Sequence, residues 1–380
     1  MEAWAVVEHN QPLQKIHEPL PQLQGSEVLI QVSHCAICHS DLHFWEGFYD
    51  LGGGKRFNIS DRGVKLPRAI GHEIAGVVAQ LGPDAAAAAA GGGGDAGADG
   101  GSGGGAADAD AVSLAVGDRK IVYPWLGCGQ CRRCLQGDDH LCGSQRSLGV
   151  MQHGGFASHV VVPHPKYLVD PGSVDPAVAC TFACSGLTVL SALTKILPLA
   201  PTDPIVLVGA GGLGLAAISV LRAKGHASSA IISIDLKPEN RAAAVKAGAA
   251  TALDGGQPGP DLAADVLKAA GGPVLGVVDF VNNSSTAALA YAVLGKGGKM
   301  VQVGVMGGEL TLSLVNLIFK GATIMGNNTG NLAALREVTD LARQQKLAPI
   351  PVTTVPWDQA NEALMRLRDG KVTGRIVLVR

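Results

Sequence analysis

The stretch Ile205-Val206-Leu207-Val208 is followed directly by Gly209-Ala210-Gly211-Gly212-Leu213-Gly214. The apolar run predicts a buried strand, and the apolar spacing of residues 212–224 predicts a helix after the glycines. Gly209 permits a tight turn, Gly211 lets the backbone approach a pyrophosphate, and Gly214 lets the helix pack on the strand. Gly212 and Leu213 begin the helix, whose free N–H groups face the phosphates. The stretch predicts a Rossmann unit, with a purely structural turn as the alternative.

A carboxylate lies at the sequence position that binds the ribose in dinucleotide-binding units. Asp235 follows the next predicted strand, Ala230–Ile234, and lies 21 positions after Gly214. A carboxylate there accepts hydrogen bonds from the ribose diol of NAD and repels the 2′-phosphate of NADP. Lys237 and Arg241 are close enough in sequence to weaken this preference. The sequence therefore predicts NAD, with NADP the less favoured cofactor.

The chain on either side of this unit changes its pattern. Strand and helix segments alternate from about residue 200, which predicts a doubly wound parallel sheet. Residues 1–82 contain short strands separated by Pro and Gly, typical of a β-rich domain, to which a closing strand at residues 375–379 is expected to return. Residues 84–111 are almost only Ala, Gly, Asp and Ser, and with few side chains to bury they predict a mobile surface loop.

Four cysteines lie within fifteen residues of one another: Cys128, Cys131, Cys134 and Cys142. Four thiolates can close a tetrahedron around Zn²⁺ and leave no open position, which is typical of a structural site. An iron–sulfur cluster is the competing use of four cysteines. A nucleic-acid-binding zinc finger is the other alternative, but Arg132 and Arg133 stand beside two aspartates and form no basic face. Structural zinc is the prediction.

A second set of metal ligands is dispersed along the chain. Cys38 begins the stretch Cys38-His39-Ser40-Asp41-Leu42-His43, His72 lies in Gly71-His72-Glu73, and Cys184 precedes Ser185 and Gly186. Two cysteines and one histidine would hold zinc with a fourth position free for water or an alcohol. Spacing alone does not join these three residues, and each by itself is more often a buried cysteine or a hydrogen-bonded histidine.

Composition narrows the possible partners and location. The chain has 380 residues, 47% of them hydrophobic, and a net charge of −2, so neither nucleic acid nor an acidic membrane is expected as a partner. The N-terminus shows no signal peptide, and the apolar stretches are interrupted by polar residues and glycines, so a cytoplasmic protein is expected. The eight cysteines then favour metal binding or catalysis over disulfides.

Together these motifs resemble the zinc-dependent medium-chain alcohol dehydrogenases. The matches are Cys38-His39-Ser40-Asp41, Gly71-His72-Glu73, the four-cysteine lobe, Cys184-Ser185-Gly186-Leu187-Thr188 and the glycine hexad. The resemblance implies an α/β protein with a GroES-like β-rich catalytic domain and an inserted Rossmann domain. The implied boundaries are 1–184, with the zinc lobe at 124–143, then 185–324 for the cofactor domain, and 325–380 returning to the catalytic domain.

The same resemblance implies roles for individual residues. Cys38, His72 and Cys184 would hold the catalytic zinc, with Glu73 nearby and Asp41 orienting His72. Ser40 and His43 would relay the alcohol proton to solvent. His39, Thr188 and Arg375 would contact the cofactor. The implied reaction converts a primary or secondary alcohol into an aldehyde or ketone through a zinc-stabilised alkoxide and hydride transfer to NAD, with two zinc ions per chain.

Substrate and assembly are predicted more coarsely. Residues 41–55, 61–67 and 164–170 look like the 6-hydroxyhexanoate dehydrogenase-like branch, which suggests an ω-hydroxy acid. Trp45, Tyr49 and Trp125 are predicted to line an apolar pocket. The strand near Thr323–Gly326 is predicted to pair across a two-fold axis in a homodimer or homotetramer. A zinc-free medium-chain reductase and a non-catalytic NAD-binding sensor are the rival interpretations.

Overall fold

The computed structural model describes residues 1–90, 114–256 and 259–380. Most of the predicted loop at 84–111 lies outside these ranges. Its described beginning is helical, because Pro83–Ala90 forms a helix and Ala85 is buried in the core. The prediction of a loop is therefore wrong for residues 84–90. Alanine has the highest helix propensity of all residues, and Pro and Asp suit the first turn, so little tertiary packing is needed.

The N-terminal half consists mainly of short strands. These are β1 Glu2–Val6, β2 Gln14–His17, β3 Val28–Ala36, β4 Phe48–Gly52, β5 Lys55–Asn58, β6 Arg68–Ala69, β7 Glu73–Leu81, β8 Arg119–Val122, β9 His159–Val162 and β10 Leu168–Val169. The helices among them are α1 His39–Glu46, α2 Pro83–Ala90 and α3 Arg132–Leu135. Short 3-10 turns lie at Ile59–Arg62, Asp139–Leu141 and Pro165–Tyr167.

Strands and helices alternate in the rest of the chain. The strands are β11 Ile205–Val208, β12 Ile231–Asp235, β13 Thr251–Asp254, β14 Val274–Asp279, β15 Leu294–Gln302, β16 Thr323–Gly326, β17 Val352–Pro356 and β18 Arg375–Val379. The helices are α4 Pro176–Ala179, α5 Ser185–Ile196, α6 Gly212–Ala223, α7 Pro238–Ala247, α8 Gly259–Ala270, α9 Ser284–Val293, α10 Leu314–Lys320, α11 Leu332–Arg343 and α12 Ala360–Arg368. Further 3-10 turns lie at Cys180–Ala183, Ser228–Ala230 and Trp357–Gln359.

A six-stranded parallel sheet confirms the predicted Rossmann architecture. Its strand order is β13-β12-β11-β14-β15-β16. The order reverses at β11, so the glycine turn after this strand lies at the switch point where such sheets bind nucleotides. Strand β13 and helix α8 were not predicted, because residues 251–270 are rich in Ala, Gly and Asp and show weak periodicity.

The second large sheet joins the two ends of the chain. Its order is β10-β8-β7-β3-β18-β17, and β9 also pairs with β3. Strand β18 lies antiparallel to β3, with Val377 opposite Ala36 and Leu378 opposite Cys35. The predicted return of the C-terminal strand to the β-rich domain is therefore confirmed. This pairing brings Arg375 to the end of β3, next to Cys38.

Within the described residues, no single helix is both long and apolar enough to cross a membrane. The segments Pro176–Ala183 and Ser185–Ile196 pass that length and composition test only as a pair bent by 51°. The break between them falls at Cys184, and most residues of α5 are buried inside the protein.

Candidate active site

Strand register brings the first two dispersed ligands together. Strands β3 and β7 are antiparallel, with Ala36 opposite Glu73. Cys38 lies two residues beyond the end of that pairing, and His72 lies immediately before it. Cys184 reaches the same place from the break between two helical segments that pack against the sheet. His72 and Cys184, which follow Cys38 by 34 and 146 positions, therefore meet Cys38 at one point.

The resulting cluster fits a metal ion. Ligand atoms of Cys38, His72, Glu73 and Cys184 all lie within 4.8 Å of one another, and all four residues are buried. The Nε2 atom of His72 is buried and has no hydrogen-bond partner among the described residues. A buried ring nitrogen left without a partner is costly, and a metal bond would satisfy it. Two thiols, one imidazole and space for a fourth ligand are the donor set of a catalytic zinc site.

Asp41 holds two of the ligand-bearing segments in place. Its carboxylate accepts hydrogen bonds from the backbone N–H of Cys38 at 2.8 Å and of Gly71 at 2.9 Å. The same carboxylate lies 3.3 Å from Nδ1 of His72. A carboxylate on Nδ1 fixes the tautomer and leaves Nε2 free as the metal ligand.

Electrostatics within the cluster favour the thiolate at Cys38 and the thiol at Cys184, because hydrogen bonding to Cys38 and burial raise the pKa of Cys184 well above its ordinary value. A hydrogen bond from Cys184 holds the pKa of Cys38 well below its ordinary value, with His72 and Arg375 acting in the same direction. Burial acts to lower the pKa of His72, but the neighbouring Asp41 carboxylate overrides it and holds that pKa above the ordinary value. The cluster thus gathers charged groups in a buried place, which is typical of functional sites.

Glu73 and Arg375 form a buried ion pair beside the cluster. The guanidinium of Arg375 donates to one carboxylate oxygen of Glu73, and the other oxygen accepts from the backbone N–H of Ser185 at 3.2 Å. Burial nevertheless raises the pKa of Glu73 to about 7, against the opposing charge of Arg375. Arg375 also packs on the glycine turn, because a Cβ at Gly212 would lie 2.4 Å from its Cδ. Arg375 therefore touches both the ligand cluster and the predicted pyrophosphate site.

Tyr49 lies beside the two residues that were predicted to relay the alcohol proton. No hydrogen bond joins Ser40 to His43 among the described residues; the Ser40 hydroxyl lies close enough to the phenol of Tyr49 to oppose the rise in its pKa. The rings of Tyr49 and His43 lie 4.9 Å apart, and Nε2 of His43 is buried without a partner in the described part of the chain. Burial raises the pKa of Tyr49 to about 12, so its phenol stays protonated at neutral pH. Tyr49 therefore contacts both relay residues.

One cavity of about 730 Å³ connects the ligand cluster to the glycine turn. Ser40, His72 and Cys184 lie on one part of its wall, while Gly211 and Asp235 lie on another. His39 and Thr188 line it as well, and the buried hydroxyl of Thr188 has no hydrogen-bond partner among the described residues. Trp125 lines the cavity and packs its ring 5.2 Å from that of His72.

One predicted pocket residue lies elsewhere. Tyr49 and Trp125 line the cavity, but Trp45 does not. Trp45 lies on α1 and is buried in the protein core, where its indole N–H donates to the carbonyl of Gln11 at 2.6 Å. The prediction that Trp45 lines the substrate pocket is therefore wrong. The reason is that the hydrogen bond to Gln11 and burial hold the indole of Trp45 in the core.

Asp235 is tied to the glycine turn. Its carboxylate accepts hydrogen bonds from the backbone N–H of Ala210 at 2.7 Å and Lys237 at 2.9 Å, and from Asn240 at 3.1 Å. Arg241 points away from this group, because it bonds the backbone carbonyls of Asp235 and Leu236 and the side chain of Asp254. The amine of Lys237 donates to the carbonyl of Gly370. Lys237 and Arg241, whose closeness to Asp235 in sequence weakened the prediction of NAD, therefore have other partners.

Two glycines of the turn are expected to fail in different ways when replaced by alanine. A Cβ at Gly214 would lie 1.9 Å from the carbonyl oxygen of Gly209. This clash cannot be removed by turning a side chain, because the carbonyl belongs to the backbone. A Cβ at Gly211 would meet nothing within 4 Å in the protein, yet Gly211 lines the cavity. We expect Gly214→Ala to lower the free energy of unfolding by about 3 kcal/mol. Gly211→Ala should keep its melting temperature but bind NAD about 10- to 100-fold more weakly.

Thermal denaturation and titration of NADH fluorescence separate these two outcomes. If Gly211→Ala binds NADH as tightly as the unmodified protein, the glycine turn is not the pyrophosphate site. If Gly214→Ala has an unchanged melting temperature, the tight contact with Gly209 is not needed for folding.

The four-cysteine lobe also fits a metal. Sulfur atoms of Cys131 and Cys134 lie 3.6 Å apart, those of Cys131 and Cys142 3.8 Å, and those of Cys128 and Cys134 4.0 Å. A tetrahedron with Zn–S bonds of about 2.3 Å places its sulfurs about 3.8 Å apart. Backbone N–H groups of Gln130 and Cys131 lower the pKa of Cys128 to about 6, which favours the thiolate. All four positions of such a tetrahedron are filled by protein, as in structural sites.

Comparison with known proteins places the chain in a family. A model of the alcohol dehydrogenase GroES-like domain matches residues 24–93 and 101–171, and one of the zinc-binding dehydrogenase domain matches residues 212–344. An NAD-dependent alcohol dehydrogenase of Sulfurisphaera tokodaii is 32% identical over 380 residues, and each chain covers 100% of the other. The chain belongs to the zinc-type medium-chain alcohol dehydrogenases. It is an oxidoreductase acting on alcohols.

Two further relatives show the range of this alcohol dehydrogenase family. The crystal structure of an alcohol dehydrogenase from the archaeon Aeropyrum pernix matches with a TM-score of 0.83 and 26% identity, each chain covering 100% of the other. A D-arabinose 1-dehydrogenase (NADP(+)) of Saccharolobus solfataricus is 27% identical over 377 residues, with 96% of each chain covered. Since relatives differ in substrate and cofactor, those properties of this chain have to be argued from its own residues.

Two residues of this alcohol dehydrogenase site, Asn240 and Arg62, and one contact of Tyr49 were not predicted from the sequence. Asn240 donates to Asp235, Tyr49 contacts both Ser40 and His43, and Arg62 lies on the cavity wall. A helix beginning after Lys237 could have indicated Asn240, because the first turn of such a helix faces the end of the preceding strand. Tyr49 was predicted only as an apolar pocket residue. Its position next to Ser40 and His43 depends on the fold of the hairpin formed by β4 and β5.

Proposed function

We propose that this protein is a zinc-dependent, NAD-preferring alcohol dehydrogenase. It would interconvert a primary or secondary alcohol with its aldehyde or ketone. The observation that carries the proposal is that the buried Cys38, His72 and Cys184 cluster opens into the same cavity as the glycine turn. A metal site with an open position and a redox cofactor would then act on one substrate.

Cys38, His72 and Cys184 would hold the catalytic zinc, with Glu73 at its edge. Zinc bound there would lower the pKa of an alcohol hydroxyl, and NAD would accept the hydride from the carbinol carbon. Asp41 orients His72 through Nδ1, and the ion pair of Glu73 with Arg375 keeps a buried carboxylate charge balanced beside the site.

Proton removal is assigned to Ser40, with Tyr49 and His43 next to it. The Ser40 hydroxyl lies on the cavity wall and can accept the alcohol proton while donating its own onward. His43 is half-buried, and its Nδ1 lies 3.4 Å from a carboxylate oxygen of Glu46, which is partly exposed. An imidazole has one nitrogen that accepts a proton and one that donates a proton, so His43 can pass the proton toward solvent.

Cofactor contacts are proposed for the residues around the glycine turn. Gly209, Gly211, Gly212, Leu213 and Gly214 would hold the pyrophosphate, with His39 and Arg375 beside it. Thr188 would bond the nicotinamide end through its unpartnered hydroxyl. Asp235 would bind the adenosine ribose. NAD is favoured over NADP because Arg241 and Lys237 are held by other groups and are not free to bind a 2′-phosphate.

A second zinc ion is proposed for the lobe of Cys128, Cys131, Cys134 and Cys142. It would act structurally, because the protein fills every ligand position and the lobe has little regular structure besides the one-turn helix α3. Two zinc ions per chain follow from the two clusters.

An alcohol panel with NAD, together with a zinc count, tests the proposed function. We expect NAD-dependent oxidation of hexan-1-ol and benzyl alcohol by a protein that contains two zinc ions per chain. One zinc per chain with quinone reduction would favour the zinc-free reductase. Nucleotide binding without turnover of any alcohol or aldehyde would favour the sensor.

A homodimer or homotetramer is proposed from an exposed apolar helix beside an open sheet edge. Strand β16 is the last strand of the six-stranded sheet, and helix α10 precedes it. Leu314, Ile318 and Phe319 on α10 are each at least 73% exposed. Large apolar side chains grouped on one short helix mark an interaction surface, and an unpaired strand edge suits pairing across a two-fold axis.

Phe319→Glu is expected to shift this assembly toward monomer, because burying a carboxylate in an apolar interface is costly. Size-exclusion chromatography with light scattering would show the molar mass falling at micromolar concentration. Val245→Glu on α7 is the control, since Val245 is also exposed but lies away from α10. An unchanged assembly in Phe319→Glu would exclude α10 from the interface, as would an unmodified protein that is already monomeric.

A further inference from the structure

Ser147 is a buried serine on the wall of the cavity beside the ligand cluster. Its exposed fraction is only 2%. Its Oγ atom forms no hydrogen bond with any residue that the structure describes, and this atom is not fully enclosed by protein. The small exposed part of Ser147 therefore faces the cavity. A buried hydroxyl without a partner is unfavourable, and a ligand group that bonds it would remove this cost.

Backbone pairing places Ser147 close to the ligand cluster. Residues 146–148 run antiparallel to residues 124–126 and are joined to them by backbone hydrogen bonds of 2.8 and 3.0 Å. In this pattern Ser147 lies opposite Trp125, in the kind of pair whose side chains approach most closely. The ring of Trp125 lies 5.2 Å from that of His72. One side chain therefore separates Ser147 from a proposed zinc ligand.

Gly149 holds the same segment against the cluster. A Cβ at Gly149 would lie 2.7 Å from the carbonyl oxygen of Gly71, the residue before His72. Gly149 also lines the cavity. The segment that contains Ser147 is thus packed on the backbone that carries a ligand, so its position is fixed by main-chain contacts.

Gln145 adds a second neutral polar group to this part of the wall. It lies two positions before Ser147, lines the cavity, and donates its amide N–H to the carbonyl of His140 at 3.0 Å. The amide oxygen has no hydrogen-bond partner in the described part of the chain. A hydroxyl group both donates and accepts hydrogen bonds, so it matches a serine hydroxyl together with an amide oxygen.

We propose that Ser147 binds a second hydroxyl group of the substrate, so that the alcohol oxidised at the ligand cluster is a diol or polyol. The proposal rests on the proposed function and adds a residue that selects the substrate. Because only Trp125 separates Ser147 from His72, the second hydroxyl belongs on one of the two carbons next to the reacting one. Oxidation at C1 would pass the C1 hydride to NAD, giving NADH, and release the hydroxyl proton. The product is a hydroxyaldehyde whose second hydroxyl is unchanged.

Three alcohols of equal chain length test the role of Ser147. Hexan-1-ol, hexane-1,2-diol and hexane-1,3-diol share the reacting hydroxyl and differ in the second one. We expect the unmodified enzyme to have a kcat/KM about 10-fold higher for one of the diols than for hexan-1-ol. Ser147→Ala should abolish this preference by lowering the value for the diol, mainly through KM. The value for hexan-1-ol should rise slightly, because an alkyl chain leaves the Ser147 hydroxyl unpaired.

A binding measurement and a matched variant accompany the kinetics. Titration calorimetry of the preferred diol into the enzyme–NADH complex measures binding without turnover, and Ser147→Ala should bind the diol about 10-fold more weakly. Ser219→Ala is the control. Ser219 is also buried, but its hydroxyl donates to the carbonyl of Ala348 at 3.0 Å and it does not line the cavity. This variant should keep the preference for the diol.

The results separate failure of this inference from failure of the proposed function. Oxidation of hexan-1-ol with no preference for either diol overturns the role of Ser147 and leaves the alcohol dehydrogenase intact. A preference that survives in Ser147→Ala overturns it too, as does an equal loss on all three alcohols, which indicates a general structural effect. Oxidation of none of them by the zinc-loaded enzyme with NAD overturns the proposed function and this inference together.

Discussion

Replacing Cys38 by alanine is expected to reduce kcat/KM for alcohol oxidation by about a thousandfold or more and to remove one of the two zinc ions proposed per chain. The reason is that Cys38 is one of the three proposed zinc ligands, which would leave a fourth position free for the substrate. Lowering the pKa of an alcohol by a bound metal is worth several kcal/mol, and each 1.36 kcal/mol lost costs about tenfold in rate. Steady-state kinetics and inductively coupled plasma mass spectrometry measure the two effects.

Cys180→Ala is the matched control for this experiment. Cys180 is also fully buried near the cluster, but its thiol bonds the carbonyl of Ala177 and does not belong to the ligand set. It should keep two zinc ions and nearly full turnover. Full activity in Cys38→Ala with one zinc ion remaining would contradict metal-assisted alcohol activation at this cluster.

The second large effect is expected at Asp235, the residue proposed to choose the cofactor. Asp235→Ala should lower kcat/KM for NAD by about 100-fold, because two hydrogen bonds from a ribose diol to a charged acceptor are lost. The value for NADP should stay level or rise, because the charge that repels a 2′-phosphate is gone. Kinetics with both cofactors at a fixed alcohol concentration measure the ratio.

Two companion variants keep the interpretation clear. Asp235 also accepts a hydrogen bond from Ala210 in the glycine turn, so Asp235→Asn removes the charge while keeping an acceptor for that bond. Glu239→Ala removes a carboxylate from the exposed first turn of α7 and should leave the ratio unchanged. An unmodified enzyme that prefers NADP would contradict the assignment, as would an Asp235→Ala variant with an unchanged ratio.

Local sequence was sufficient wherever the chemistry lies within one segment. The cysteines from Cys128 to Cys142 needed only their spacing, because a short loop can close around one ion. The glycine turn needed only its strand and helix, and the structure confirms the sheet that these predicted. The alanine run at 84–90 failed for the opposite reason. A compositional argument about a whole segment overlooked the helix propensity of its first residues.

Long-range pairing decided what local patterns could not. Arg375 lies 302 positions from Glu73, and the two meet only because β18 pairs with β3 and β3 pairs with β7. Likewise, Trp45 and Tyr49 look equivalent as aromatic residues four positions apart. One ends inside the core and the other on the cavity wall, because α1 stops at Gly47 and the hairpin turns the chain toward the cavity.

The sequence by itself determined the family, the Rossmann unit and the donor types, since these depend on which residues are present and on short spacings. Only the tertiary structure decided that Cys38, His72 and Cys184 share one point, and that the side chains of Lys237 and Arg241 are bound to other groups. The physical reason is that a side chain's partners depend on strand register and packing between distant segments. Neither of these is encoded in the spacing of nearby residues.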